Sequence, residues 1–138
     1  IGETHSSLGN LEKALQYFEE RSRLSKELYE SNSQNAEFKY NMGISYSNLG
    51  ETNSNLGNWE KALQYLEEDV KLTKELYESY PQNVIFKNGL AVSYSKLGRI
   101  YEKMEDNLKR KEYLKKAKEI WKELAAGFTK YIEFQNNL

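Results

Sequence analysis

The chain has 138 residues, with 20 Lys and Arg against 21 Asp and Glu, one His and no Cys. Near-neutral charge excludes a general nucleic-acid or anionic-membrane binder. The missing Cys excludes disulfides, thiolate zinc sites and Cys nucleophiles, the single His cannot build a His-rich metal site, and no run approaches the ~18 apolar residues of a membrane span. Counted with Gly and without Tyr, only about 36% of the residues are apolar, against about 45–50% in ordinary globular chains, so one domain with a thin, elongated packing is expected rather than a thick core.

In chain order, the sequence reads as a series of helices that repeats itself. Shifting the chain by 48 residues lays Leu8–Gly50 on Leu56–Gly98, with 27 identities in 48 pairs over Leu8–Asn55. The first segment reads as the end of one helix, a turn at Gly9-Asn10, and a second helix that carries LEKALQYFEE and ends at KELYES. A helix over Asn35–Leu56 follows, with Phe38, Met42, Tyr46, Leu49 and Leu56 at spacings of three, four or seven, the period of an amphipathic helix. Gly57 is suited to end that helix because it tolerates positive φ, and Asn58 to cap the next.

The next helix, Asn58–Ser79, carries Trp59, Leu63, Leu66, Val70 and Tyr77 on one stripe, widened by Ala62, Tyr65, Leu72 and Leu76. An apolar face that wide packs on two neighbours. Pro81 sits in the following loop, where its missing N–H costs little. A helix from Asn83 then repeats the first pattern with Phe86, Leu90, Tyr94, Leu97, Tyr101 and Met104.

The third copy departs from the rule: Glu105 replaces the turn Gly and Arg110 the small Ala. Asp106 can still cap, so a hairpin is expected, with one continuous helix from Asn83 towards Ala126 as the alternative. The end, from Glu133-Phe134 to Leu138, matches Ile85-Phe86 to Leu90. The units are therefore about 1–34, 35–82, 83–130 and the beginning of another at 131–138, in a single array expected to be part of a longer one.

The recurring landmarks are Leu49-Gly50, Asn53, the turn Gly57-Asn58, Trp59 and the small Ala62. One unit earlier they are Gly2, His5, Gly9-Asn10 and Ala14, and one unit later Leu97-Gly98 and Tyr101. This set resembles the tetratricopeptide repeat, in a long-helix variant, since the period is 48 rather than the usual 34. The resemblance implies an all-α, right-handed solenoid of stacked antiparallel helical hairpins, whose first helices line a concave groove that holds a peptide or helix of a partner.

On that reading the groove residues are Tyr40, Ile44, Ser47, Asn48, Glu51 and Asn55 on one helix, and Asn88, Val92, Lys96, Arg99 and Lys103 one repeat on. Asn and Ser offer donors and acceptors to a peptide backbone, and Tyr40, Ile44 and Val92 offer apolar anchors. Lys96, Arg99 and Lys103 favour an acidic ligand segment, unless they serve inter-repeat ion pairs such as Glu51 with Arg99. Ser47 and Ser95 stand where the carboxylate-clamp members of the family would carry Lys, so binding to chaperone C-termini is not implied.

His5 and the recurring tyrosines read as packing residues. Glu19-Glu20 and Glu67-Glu68 read as surface carboxylates near lysines, and the basic run from Lys109 to Lys118 as a solvated helix face. No phosphate loop, zinc helix or nucleophile with a nearby His is present. The expectation is a non-catalytic, cytoplasmic protein–protein interaction scaffold with no cofactor, no metal, no nucleic acid and no membrane. The alternative is a structural spacer or self-association module of a larger regulatory protein. Homo-oligomers could form through open repeat ends, since residues 1–55 carry net −3 and residues 104–138 net +2, or by exchange of the third hairpin.

Overall fold

The computed structural model describes the backbone of residues 2–137 and the side chains of residues 7–133 and 135–137. The chain forms five α-helices: α1 Gly2–Ser31, α2 Ala36–Asn55, α3 Trp59–Ser79, α4 Val84–Lys103 and α5 Asn107–Asn136. No strand occurs among the described residues. Each helix packs on the next in chain order, and α2 also touches α4. The result is two helical hairpins, α2–α3 and α4–α5, stacked so that α3 backs both α2 and α4. This is a helical repeat solenoid, and no helix of it is long and apolar enough to cross a membrane.

Local chemistry sets the helix ends. The Asn35 and Asn83 side chains accept the N–H of Phe38 and Phe86 at 3.1 and 3.0 Å, so each caps a groove-facing helix at the same point of the repeat. Gly57 turns the chain from α2 to α3 with φ 84°, and the Asn58 N–H donates to the Asn53 carbonyl at 2.8 Å. Asn58 does not cap α3 as expected; its side chain turns back and donates to Asn53 Oδ1 at 3.4 Å. The α4–α5 hairpin, which begins the third copy, closes despite its sequence. Glu105 adopts φ 61°, the Asp106 N–H donates to the Tyr101 carbonyl at 2.9 Å, and Asp106 Oδ1 accepts the Lys109 N–H at 3.1 Å. The continuous helix from Asn83 is thereby overturned.

The core is a thin band between the layers. Ala62, Leu66, Leu97, Ile100 and Tyr101 form one buried cluster. Leu90, Ala91, Tyr94 and Ala117 form a second, and Val70 packs against both. Each fully buried Leu or Ile contributes roughly 1.5–3 kcal/mol. Gly50 and Gly98 let the helices approach: a Cβ there would lie 2.7 Å from Leu66 and 2.8 Å from Leu114.

Three expectations fail at the edges of this band. The turn at Gly9-Asn10 does not form, and α1 runs straight through it. A Leu-Gly-Asn sequence permits a turn, but the one at Gly57 is held by Asn53 and by a helix on each side. The position of Asn53 holds His5 in the first copy. The packing expected of His5 lies outside the described side chains. At the other end α5 continues through residue 131 to Asn136, because Thr129 and Tyr131 stand where Pro81 and Asn83 interrupt and cap. Finally, Trp59 leaves the stripe and is 41% exposed, since it opens α3 beyond the packed band.

Candidate groove between the first and second hairpins

The groove-facing helices α2 and α4 run side by side over α3, and the space between them divides into two adjoining sections that share Lys96. The first, of about 500 Å³, is lined by Tyr40, Ile44, Ser47 and Asn48 of α2 and by Asn88, Val92 and Lys96 of α4. The second, of about 260 Å³, is lined by Glu51, Asn55, Lys96, Arg99 and Lys103. The eleven residues picked from the repeat pattern therefore all border this one trough.

Their roles within it differ. Ile44 and Val92 are 42% and 36% exposed and form apolar rims. Tyr40 packs its ring 5.5 Å from that of Phe86. Asn88 Oδ1 accepts the Trp121 indole N–H at 3.0 Å, which ties it to α5. Ser47 is buried rather than open, and its hydroxyl bonds to the Lys96 ammonium.

The basic set is also partly consumed. Glu51 pairs with Lys96 at 3.6 Å, not with Arg99. Lys103 donates to Ser54 Oγ at 3.1 Å. The Glu51 end of the Glu51–Lys96 pair is half exposed and the Lys96 end is largely covered. Arg99 is exposed on the trough and forms no ion pair among the described residues.

The floor contains what the sequence pattern passed over. Asp69 of α3 is 4% exposed and lines the first section together with Thr73, Ser93 and Gly89. Its Oδ1 accepts from the Thr73 hydroxyl at 3.0 Å, and its Oδ2 from the Ser93 hydroxyl at 2.8 Å. Burial pushes this carboxyl up to about 6, against the two hydroxyl bonds and the Lys96 ammonium, which favour the charged form. Val84, Ile85 and Leu124 add apolar lining at the open end.

Asp69 carried a readable signal. It falls three residues after Leu66 and seven before Leu76, an acid on the buried stripe, and its counterparts in the other copies are Arg21 and Ala117. Val84 and Ile85 gave no such signal, since they lie at a helix start where the period is not yet established.

Comparison with known families decides what these hairpins are. Models of the tetratricopeptide repeat match residues 44–79, and also residues 1–27 and 91–120. Together the matches span more than half of the chain and reach all five helices. The chain is built of tetratricopeptide repeats. The general role of such repeats is protein–protein interaction. Among solved structures the chain is similar to the crystal structure of MamA, at 16% identity over 91% of this chain and 97% of that chain, with a TM-score of 0.27. No curated protein matches the chain.

Proposed function

We propose that the chain is a non-catalytic interaction scaffold that holds a peptide or helix of a partner protein in the trough between α2 and α4. The observation that carries this reading is the trough itself. It joins apolar rims at Ile44 and Val92 to an open Arg99 over a preformed helical frame. A frame ordered before binding loses less entropy on association. The exposed Arg99, with Lys103 beside it, favours an acidic residue of the ligand at that end. The repeat interval supports a long-helix form of the family. α2 and α4 open at Ala36 and Val84, α3 and α5 at Trp59 and Asn107, in each case 48 residues apart. We read the chain as a single array with units of about 1–34, 35–82 and 83–130.

The test is selection from a displayed library of random dodecapeptides on the whole chain. Enriched peptides should bind the wild type and be lost on the double variant Ile44→Glu/Val92→Glu, with circular dichroism unchanged. Both positions are exposed, so the substitutions leave the core intact. Peptides that bind this variant as well as the wild type, or no enrichment at all, would overturn the groove reading.

One observation favours the self-association alternative. α1 exposes Leu24 and Leu28 at 54% and 51%, and α5 exposes Phe128 and Tyr131 at 64% and 59%, so both end helices carry open apolar surface. Light scattering that gave a mass above one chain, with loss of peptide capture on association, would move this alternative ahead.

A further inference from the structure

The hydroxyls that serve Asp69 are over-committed. Thr73 Oγ1 lies 3.0 Å from Asp69 Oδ1 but also 2.7 Å from the Asp69 backbone carbonyl. Ser93 Oγ lies 2.8 Å from Asp69 Oδ2 but also 2.9 Å from the Gly89 carbonyl. Each hydroxyl has one proton to donate. Two protons thus face four acceptors, and a carboxylate able to accept about four hydrogen bonds receives at most two.

Among the described residues the cation acting on Asp69 is Lys96, which is already engaged by Glu51 and Ser47. From α2, Gly43 faces Asp69 and brings no side chain and no charge. A Cβ at Gly43 would stand 3.3 Å from Asp69 Oδ1, and one at Gly89 would stand 3.5 Å from Thr73 Cγ2. Gly43 therefore packs against a buried carboxyl that lines the trough, and Gly89 lines the trough beside its partner Thr73.

A buried ionised group without a hydrogen-bonded counter-charge is costly, and the cost is met either by a proton or by an incoming cation. A Lys or Arg side chain of a groove ligand suits the site in two respects. Its apolar stem can lie along Ile44 and Val92, while its charged head supplies the missing donors. Resting on the groove reading above, we infer that Asp69 is the specificity-determining residue of the trough and selects a ligand segment with a basic side chain at this point. The acid is peculiar to this hairpin: Arg21 and Ala117 occupy the same place in the other copies.

The same library selection tests it. The enriched peptides should share a Lys or Arg, and replacing that residue by norleucine, which keeps the stem and removes the charge, should weaken binding to wild type at least tenfold. Asp69→Asn keeps the shape and most of the hydroxyl bonds. It should weaken the parent peptide to a similar degree and make the norleucine exchange nearly silent, since the two losses come from one contact. Affinity of the wild type should fall as pH is lowered from about 7.5 to about 5, while that of Asp69→Asn stays level.

Enriched peptides with no common basic residue, but lost on Ile44→Glu/Val92→Glu, would overturn the Asp69 inference and leave the groove reading standing. Losses from norleucine and from Asp69→Asn that simply multiply would do the same. Peptides insensitive to the Ile44→Glu/Val92→Glu change, or no enrichment, would overturn both.

Discussion

The hairpins α2–α3 and α4–α5 are copies of one unit, and they differ most where the eye would expect them to agree. Their helix approach is the same: Gly50 lies against Leu66 and Gly98 against Leu114, with nearly equal clearance. Their turns have the same backbone, at φ 84° and 61°, closed by equivalent N–H bonds at 2.8 and 2.9 Å. Yet one turn carries Gly57 and the other Glu105. The packing of the helices on either side imposes the turn, so the residue at its apex is free to drift at a modest cost in strain. The floor behaves in the opposite way. Asp69 and Ala117 occupy one repeat position, both buried, but only Asp69 lies beneath an open trough. The acid lies in the floor of the trough, while Ala117 packs its methyl group in the buried cluster with Leu90, Ala91 and Tyr94.

The largest expected effect asks whether the hairpins share one core or stand alone. Leu97 of α4 is 1% exposed and packs in the cluster with Ala62 and Leu66 of α3. Leu97→Ala should cost about 2–5 kcal/mol and lower the urea midpoint while keeping a single transition. A second, separate transition would show that the hairpins unfold independently.

The next effect comes from Asp69. Its folded pKa of about 6 lies above the ordinary value of 3.8, so between those values the folded state holds more protons than the unfolded chain. Stability contributed by this group therefore falls as pH rises through that window, by at most about 3 kcal/mol, and the full cost is present above pH 6. Wild type should lose stability relative to Asp69→Asn between about pH 4 and pH 7.5, read as the difference in their urea midpoints. A difference that does not change with pH would mean that the carboxyl is not held in a low-dielectric floor.

Glycine substitutions sharpen the likeness of the two hairpins. Gly50→Ala and Gly98→Ala each push a Cβ into a Leu side chain. Overpacking of about 1–3 kcal/mol, less roughly 1 kcal/mol gained in helix propensity, leaves each destabilised by about 0–2 kcal/mol. The two thermal-melt shifts should agree closely; a large disparity would mean that the interfaces are not equivalent. Gly9→Ala is the control. Nothing lies within 4 Å of a Cβ there, and the residue is inside α1, so it should stabilise by roughly 0.5–1 kcal/mol. Destabilisation would restore the turn that the repeat pattern suggested.

That contrast also marks how far the sequence could be read. Periodicity with its turn signals placed both ends of α2 and α3 and the start of α4 within a residue, because Asn35, Gly57 and Asn83 act through local bonds that a short motif encodes. The turn at Gly9-Asn10 was misread because a turn also needs two helices to hold it, and that information lies outside the motif. The trough residues were legible as a row on one face. Which of them are spent on each other was not: Lys96 engages Glu51 and Ser47, and Lys103 engages Ser54, through distances between helices that no spacing reports. For Asp69 the acid on the stripe was legible but its surroundings were not: Gly43 of α2 and Ser93 of α4 are brought to it from other helices.

The smallest effects lie in the turns and separate strain from capping. Glu105 pays for a left-handed backbone that Gly57 adopts freely, so Glu105→Gly should stabilise α4–α5 by about 0.5–1 kcal/mol after the extra freedom of the unfolded chain is deducted. Capping runs the other way. Asp106 accepts the Lys109 N–H, so Asp106→Ala should cost about 1 kcal/mol. Asn58 makes no such bond, and Asn58→Ala should cost only a few tenths of that. The second hairpin thus offsets a poor turn residue with a good cap, and the first has the reverse arrangement. Equal melting shifts for Asp106→Ala and Asn58→Ala would break that compensation and leave the closure of the second turn resting on helix packing alone.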